Sequence, residues 1–183
     1  TYSIKSTSGK RRNGGFTLIE LMMVLAVASI LVTIGIPSFM NMSASNRVTM
    51  ASNSMVTTLN LAKSDAIRSG INTVLCKTNT TGDACDNDAS WDKGWLLYSD
   101  ADGDNTLDAG ERIIRVQAEL NPELNFTFRT ANFLRFSPSG RSNVGGRFCF
   151  ENSYDGTNSR AVVITQAGRF RAEKRSATDN CAA

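Results

Sequence analysis

The chain has 183 residues, a length that suits one globular domain with an appendage. It contains no histidine, which excludes His-based catalytic triads and most zinc sites, so we expect a protein that is not an enzyme. The formal net charge of +3 comes from the first fifteen residues, which hold four bases and no acid. Without them, 16 bases and 17 acids remain.

The remaining charge is unevenly distributed along the chain. Residues 76–125 hold eleven acids and four bases, whereas residues 135–175 hold eight bases and three acids. We therefore expect the globular part to have an acidic half and a basic half.

Residues 16–36 form an apolar run with a single charge, and as a helix they would extend about 31 Å, enough to cross the hydrocarbon core of a bilayer. An ordinary secretory signal peptide is the alternative, but no A-x-A cleavage site follows the run. The small-residue junction, Gly14-Gly15, precedes it instead. The order is thus basic, small, apolar, whereas an ordinary signal peptide has its cleavage site after the apolar run.

Glu20 is the one charge in this run, and an acid inside a membrane helix costs about 2.5–3.5 kcal/mol on insertion scales. Cleavage after Gly15 would give Phe16 a free α-amine, and the amine of a neighbouring copy could neutralise Glu20 in a staggered helix bundle. The alternative is an acid that is merely tolerated near the membrane edge.

The segment from Gly14 to Pro37 resembles the prepilin signature, with glycine before the cut, phenylalanine after it and glutamate at the fifth mature position. The resemblance implies cleavage by a prepilin peptidase, N-methylation of Phe16 and a single-pass anchor in the inner membrane with a periplasmic head. It also implies assembly with other major and minor pilins or pseudopilins through a helix bundle, in which Glu20 guides assembly.

Residues 16–70 are predicted to form one long helix that Pro37 kinks or loosens before it resumes. Arg68 and Gly70 are the expected stop signals. Apolar residues at steps of three and four predict a stripe that packs on a sheet. These residues are Val48, Ala51, Met55, Leu59, Ala62 and Ala66.

Residues 71–183 predict a β-rich head, because short runs of β-forming residues alternate with turn residues. With the helix, this indicates an α+β, pilin-like fold in which a mostly antiparallel sheet wraps the helix. The predicted strands are 71–75, 95–98, 112–116, 126–129, 133–136, 147–150, 161–165 and 169–172.

The head is similar to the GspH/FimT family of type IV minor pilins and type II secretion pseudopilins. The similarity is carried by Gly94-Trp95 before an acidic loop, Phe136–Arg141, Cys149 and Gly168-Arg169. It implies a minor subunit that starts or caps a type IV pilus, with a pseudopilin of a type II secretion system as the alternative. A soluble carbohydrate- or calcium-binding module would require the membrane segment to be discarded.

The four cysteines all follow the apolar run, and an even number in an exported domain favours two disulfides. Of the three possible pairings we favour Cys76 with Cys85 and Cys149 with Cys181, because each would join segments that the predicted strands make neighbours. A zinc site is the alternative, although the spacings lack a C-x-x-C pair.

The acidic loop from residue 100 to residue 111 has acids at positions 1, 3, 5, 9 and 12 of an EF-hand-like loop. These are Asp100, Asp102, Asp104, Asp108 and Glu111. Calcium is therefore a candidate ligand, and no other cofactor is expected. Against it, position 6 is Asn105 where the loop usually has glycine, and the flanks are predicted strands. A solvated hairpin loop is the alternative.

Gly168, Arg169 and Arg171 resemble the GRxR motif of DNA-binding FimT-type minor pilins. On a strand, Arg169 and Arg171 would lie on one face about 6.6 Å apart, with Phe170 on the other. Paired guanidinium groups suit DNA phosphates. The candidate site continues through Lys174 and Arg175, and Arg141, Arg147 and Arg160 could extend it. Alternatively, the arginines pair with acids of a neighbouring pilin or keep an edge strand soluble.

Overall fold

The structure is a computed structural model that describes residues 15–128, 130–152 and 159–175. The chain divides into two compact units, residues 1–40 and 41–183. Helix α1 (Leu18–Ser69) begins after Thr17, whose hydroxyl oxygen accepts a hydrogen bond from the Glu20 N–H at 3.3 Å. It continues through Pro37 and ends at Gly70, which has φ 70°.

The N-terminal unit is an apolar helical segment. From Leu18 to Met40 the large apolar side chains of α1 are exposed. Among the described residues, α1 is the one helix that is long and apolar enough to cross a membrane. Length and composition thus agree with the predicted membrane segment at residues 16–36.

In the head, the C-terminal part of α1 packs on sheet strands through the predicted stripe. All six stripe residues are buried, which confirms the prediction made from their spacing. Thr58, on the same buried face, accepts a hydrogen bond from the Trp95 Nε1–H at 3.3 Å.

Within the described residues, eight strands form the sheets. A short 3₁₀ helix, Trp91–Lys93, is also present. The strands are β1 (Asn72–Lys77), β2 (Trp95–Asp100), β3 (Ile113–Gln117), β4 (Leu124–Thr127), β5 (Phe133–Phe136), β6 (Gly146–Asn152), β7 (Ser159–Ile164) and β8 (Phe170–Lys174). The antiparallel α+β fold is confirmed. The strands form two four-stranded sheets, β3-β2-β1-β5 and β4-β6-β7-β8, rather than one. The chain changes sheet three times, between β3 and β4, between β4 and β5, and between β5 and β6. The pattern of residues within a strand does not show which strands it pairs with.

The main core is rich in aromatic rings that lie between α1 and the sheets. Phe126 stacks on Phe150 with ring centroids 4.5 Å apart, and Phe128 stacks on Phe148 at 4.0 Å. Trp91 contacts this group edge-on, at 5.9 Å from Phe148. The alternation predicted for β4 and β6 therefore reflects a buried aromatic face.

A second, smaller cluster covers the far face of the first sheet. It contains Val74, Cys76, Leu96 and Tyr98, with Cys85, Leu107 and Phe133 packed against it. Cys85 and Leu107 belong to the loops that follow β1 and β2. Both of these strands are therefore buried on two faces, unlike the half-buried strands expected from sequence.

Cys76 and Cys85 form a disulfide with Cα atoms 5.7 Å apart, as predicted. Because these two sulfurs are bonded to each other, they cannot serve as thiolate ligands of a zinc ion. Cys149 is buried on β6 and is not a free thiol. Its predicted partner, Cys181, lies outside the described residues.

Candidate functional site: the late hairpin and the acidic loop

The hairpin between β7 and β8 turns at Gly168, which has φ 69° and donates its N–H to the Thr165 carbonyl oxygen at 2.8 Å. A Cβ added to Gly168 would overlap the Gly140 carbonyl oxygen. The turn therefore requires glycine for two separate reasons, the left-handed backbone and the close approach of a second chain segment.

The second segment is the loop that follows β5, and both segments rest on α1. The Ser142 N–H donates to the Gln166 carbonyl oxygen at 3.0 Å, and Lys63 Nζ of α1 donates to the Gly168 carbonyl oxygen at 2.8 Å. Gly140, with φ 73°, faces the Lys63 and Ile67 side chains of α1. Two Gly-Arg pairs, at 140–141 and 168–169, are thus in direct backbone contact.

We define the arginine patch as Arg141, Arg169 and Arg171, and all three are exposed. Within the described residues, the Arg141 and Arg169 side chains form no ion pair. The Arg171 Nε–H donates to Glu173 Oε2 at 2.9 Å, while Arg147 lies 3.6 Å from the same carboxylate. Glu173 therefore neutralises part of the charge beside the patch.

Two of the predicted site residues do not join the patch. Lys174 and its cross-strand partner Arg160 line a pocket of about 140 Å³ with Ser45 of α1. Arg175 instead pairs with Glu151 on β6. Alternation of side chains along β8 separates Lys174 from the patch, since Arg171 and Lys174 lie on opposite faces of the strand. Arg175 follows the end of β8, and its pairing with Glu151 directs it away from the patch.

Arg141 and Arg135 line a small pocket of about 160 Å³ with Ser137, Ser142 and Asn143. Arg135 was not among the residues singled out from the sequence. It lies on β5, and the turn after this strand folds back on it, since the Arg135 N–H donates to Asn143 Oδ1 at 2.8 Å and the Asn143 N–H donates to the Arg135 carbonyl oxygen at 3.1 Å. The turn-forming residues at 137–140 were a local signal that could have identified this approach.

The acidic loop connects β2 to β3, and three of its predicted ligands converge. Asp100, Asp102 and Asp104 have carboxylate oxygens within 4.8 Å of one another. Asp108 and Glu111 are not part of this group. Glu111 instead closes the loop by accepting hydrogen bonds from the Ala101 N–H at 2.8 Å and the Asp108 N–H at 3.1 Å.

Asn105 at position 6 has φ 67°, the left-handed conformation that glycine usually supplies at this point. The objection raised by the missing glycine is therefore removed. Asn105 Oδ1 also accepts a hydrogen bond from Arg135 Nη1 at 2.9 Å. This contact ties the loop to β5.

The surroundings of Asp100 and Tyr98 disfavour the charged form of each side chain. Burial, followed by the charges of Glu111 and Asp102, raises the pKa of Asp100 despite its backbone hydrogen bonds. Burial also raises the pKa of Tyr98, with smaller contributions from Asp100 and other acids of the loop.

The pKa of Asp65, near the end of α1, is shifted in the opposite direction. It is 4% exposed, and Arg112 Nη2 lies 2.9 Å from both of its carboxylate oxygens, while Arg68 Nη2 lies 3.0 Å from Oδ1. Burial alone would raise the pKa of Asp65, but hydrogen bonds and charges of the two arginines together lower it.

We expect the ion pairs of Asp65 to make folding stability depend on pH. Because the pKa is lower in the folded state, their contribution is present above the ordinary value of 3.8 and is lost as pH falls through the folded pKa. Asp65→Asn should lower the free energy of unfolding by roughly 1–2 kcal/mol at neutral pH. It should also make this free energy fall less steeply as the pH decreases below 3.8. Urea unfolding at several pH values checks this. Asp88→Asn, which changes an exposed acid, should leave the pH dependence of the unfolding free energy unaltered.

At the N-terminus, Gly15 and Phe16 precede α1, and Phe16 is exposed. Thr17 and Glu20 have the spacing of a capping box, a local signal that the sequence interpretation missed. Cleavage, methylation and the assembly role of Glu20 remain predictions.

Comparisons with known proteins agree with this fold. Residues 51–168, more than half of the chain, match the family described as Type II transport protein GspH. Residues 10–36 match the prokaryotic N-terminal methylation motif. Comparison with curated protein sequences gave no match.

Two kinds of solved structure share the fold. The type IV minor pilin FimU of Pseudomonas aeruginosa PAO1 aligns with a TM-score of 0.56 and 18% identity, over 70% of this chain and 89% of that chain. The minor pseudopilin EpsH of Vibrio cholerae aligns with a TM-score of 0.52 and 14% identity, over 70% of this chain and 97% of that chain. The chain therefore belongs to the GspH family of minor pilins and pseudopilins, whose members are structural subunits.

Proposed function

We propose that this chain is a minor type IV pilin that helps start or cap a pilus and binds duplex DNA for uptake through its arginine patch. A prepilin peptidase would cut it between Gly15 and Phe16, and residues 16–36 would anchor it in the inner membrane until assembly. The observation that carries the DNA-binding proposal is the backbone contact between the Gly-Arg pairs at 140–141 and 168–169, which holds Arg141 beside Arg169.

The chemistry of the patch suits phosphate. A guanidinium group donates two parallel hydrogen bonds to phosphate oxygens, and such contacts require no particular base sequence. The backbone next to Arg169 is held in place by the hydrogen bond from Lys63, and the same turn contacts the backbone next to Arg141. Binding a phosphate would therefore cost little conformational entropy of the main chain. The pocket lined by Arg135 and Arg141 offers hydroxyl and amide groups for a phosphate as well.

The test is DNA binding by the full-length chain in detergent, measured by fluorescence anisotropy across a salt series. The variant Arg141→Ala with Arg169→Ala should bind about tenfold or more weakly at low salt, and the slope of log affinity against log salt should become shallower by about 2. Lys93→Ala, which removes an exposed base that pairs with Glu119 at 2.6 Å, is the control and should bind like wild type.

A gain of affinity is expected for Glu173→Gln in the same assay. This change removes the carboxylate that accepts from Arg171 and attracts Arg147, so more positive charge becomes available to phosphate. The proposal fails if folded wild type does not bind at low salt, or if Lys93→Ala weakens binding as much as the double variant.

A minor pseudopilin of a type II secretion system is the second candidate. It is favoured by the match to a family described as a type II transport protein and by the shared fold of EpsH. Deletion of the gene in its host distinguishes the two. Loss of surface pili and of DNA uptake supports the pilin, whereas periplasmic retention of secreted proteins supports the pseudopilin.

A further inference from the structure

Asp100 is a buried residue with one carboxylate oxygen that has no hydrogen-bond partner. Asp100 is 1% exposed. It lies at the end of β2, where it pairs with Asn72 of β1. Oδ1 accepts a hydrogen bond from the Gly103 N–H at 2.8 Å, but Oδ2 is buried without a hydrogen-bond partner. Burying an unpaired charge is unfavourable, so a cation bound at this oxygen would stabilise the folded protein.

The other converging acids do not relieve this charge but increase it. Oxygens of Asp102 and Asp104 lie within 4.8 Å of an Asp100 oxygen and of each other. In the part of the chain that the structure describes, none of the three carboxylates forms an ion pair with lysine or arginine. Three acids converge without a protein counter-charge, so a bound cation is the straightforward way to balance them.

A second unpartnered group borders the same place. Tyr98 is fully buried, and its hydroxyl has no hydrogen-bond partner. Tyr98 precedes Asp100 by two residues on β2, so both side chains lie on the same face of the sheet. Leu107 packs against the cluster that contains Tyr98, which holds the loop over this face.

We propose that Asp100, Asp102 and Asp104 bind a calcium ion at the end of β2. Hard carboxylate oxygens at positions 1, 3 and 5 are the donors that Ca²⁺ prefers, and main-chain carbonyls and water commonly complete its shell. Asn105 in the left-handed conformation gives the loop the turn that this arrangement needs. Glu111 braces the loop through main-chain N–H groups, so the charge of the site comes from three acids. We therefore expect an affinity like that of extracellular calcium modules, with a Kd of about 10⁻⁴–10⁻³ M.

This site is separate from the arginine patch, and its test does not depend on DNA. Calcium chloride is titrated calorimetrically into the chelator-treated full-length chain in detergent, and the Tm is measured with and without calcium. Wild type should bind saturably and its Tm should rise with calcium. Asp102→Asn with Asp104→Asn should weaken binding about tenfold or more, because ligand charge sets the affinity. Both residues are exposed, so the fold should be retained. Asp88→Asn, an exposed acid outside this loop, should bind like wild type.

Asp100→Asn supplies a second test, in which the difference in Tm between the variant and wild type should change sign when calcium is added. Without calcium this variant should have a higher Tm than wild type, since the unpaired buried charge is gone. With saturating calcium, wild type should become the more stable protein. The proposal is overturned if wild type shows neither saturable heat nor a Tm rise up to about 5 mM calcium, above the range of extracellular modules. It is also overturned if the double variant responds as wild type does, or if Asp100→Asn stays more stable at every calcium concentration.

Discussion

Gly168→Ala should lower the free energy of unfolding of the head by about 3 kcal/mol and weaken DNA binding. Two effects add. An alanine in the left-handed region costs about 1–2 kcal/mol, and the new Cβ would overlap the Gly140 carbonyl oxygen, forcing the hairpin and the loop apart. The same displacement would move Arg169 away from Arg141. Chemical denaturation of the full-length chain in detergent, together with the salt series, measures both effects.

Gly70→Ala is a closely matched control for this change. Gly70 has φ 70° against 69° for Gly168, but a Cβ added there would meet no atom within 4 Å. Gly70→Ala should therefore lose only the backbone contribution of about 1–2 kcal/mol and keep full DNA binding. Equal losses for the two variants would show that the contact between the hairpin and the loop contributes nothing to stability.

Glu20→Ala should abolish incorporation into filaments while leaving membrane anchoring intact or improved. Removing the acid from the apolar segment relieves an insertion cost of about 2.5–3.5 kcal/mol. It also removes the group that would pair with the α-amine of Phe16 in a neighbouring subunit. Fractionation of cells into membrane and sheared filaments, followed by immunoblotting, separates the two consequences.

Thr17→Ala is the control for the capping role of the same segment. It removes the hydroxyl that accepts the Glu20 N–H but keeps the charge of Glu20. A missing N-cap costs helix stability of about 1 kcal/mol, and assembly should continue. If Glu20→Ala assembles normally, or if Thr17→Ala is equally defective, the charge of Glu20 is not what assembly requires.

Much of the fold follows from short-range patterns. The stripe from Val48 to Ala66 and the end of α1 near Gly70 were predicted correctly, because helix periodicity and left-handed stop signals act within a few residues. Strands were expected near all eight observed positions, and β5 at its observed bounds. The Cys76–Cys85 disulfide was also predicted, since the strand pattern made those segments neighbours.

The candidate site was only partly predictable. The sequence pattern identified Arg169 and Arg171, but it grouped them with Lys174, which lines a different pocket, and with Arg175, which pairs with Glu151. Strand alternation places Lys174 on the opposite face from Arg171, and an ion pair with a residue of another strand determines the position of Arg175.

By itself, the sequence determined the elements of this protein: an apolar N-terminal helix behind a glycine pair, an amphipathic stripe, strands and an acidic loop, because each depends on residues close along the chain. The tertiary structure decided which distant residues meet. It divided the strands between two sheets, placed Arg141 beside Arg169, and buried one Asp100 carboxylate oxygen without a hydrogen-bond partner. The physical reason is that burial and charge pairing depend on contacts between segments far apart in the chain, and local propensity carries no information about such contacts.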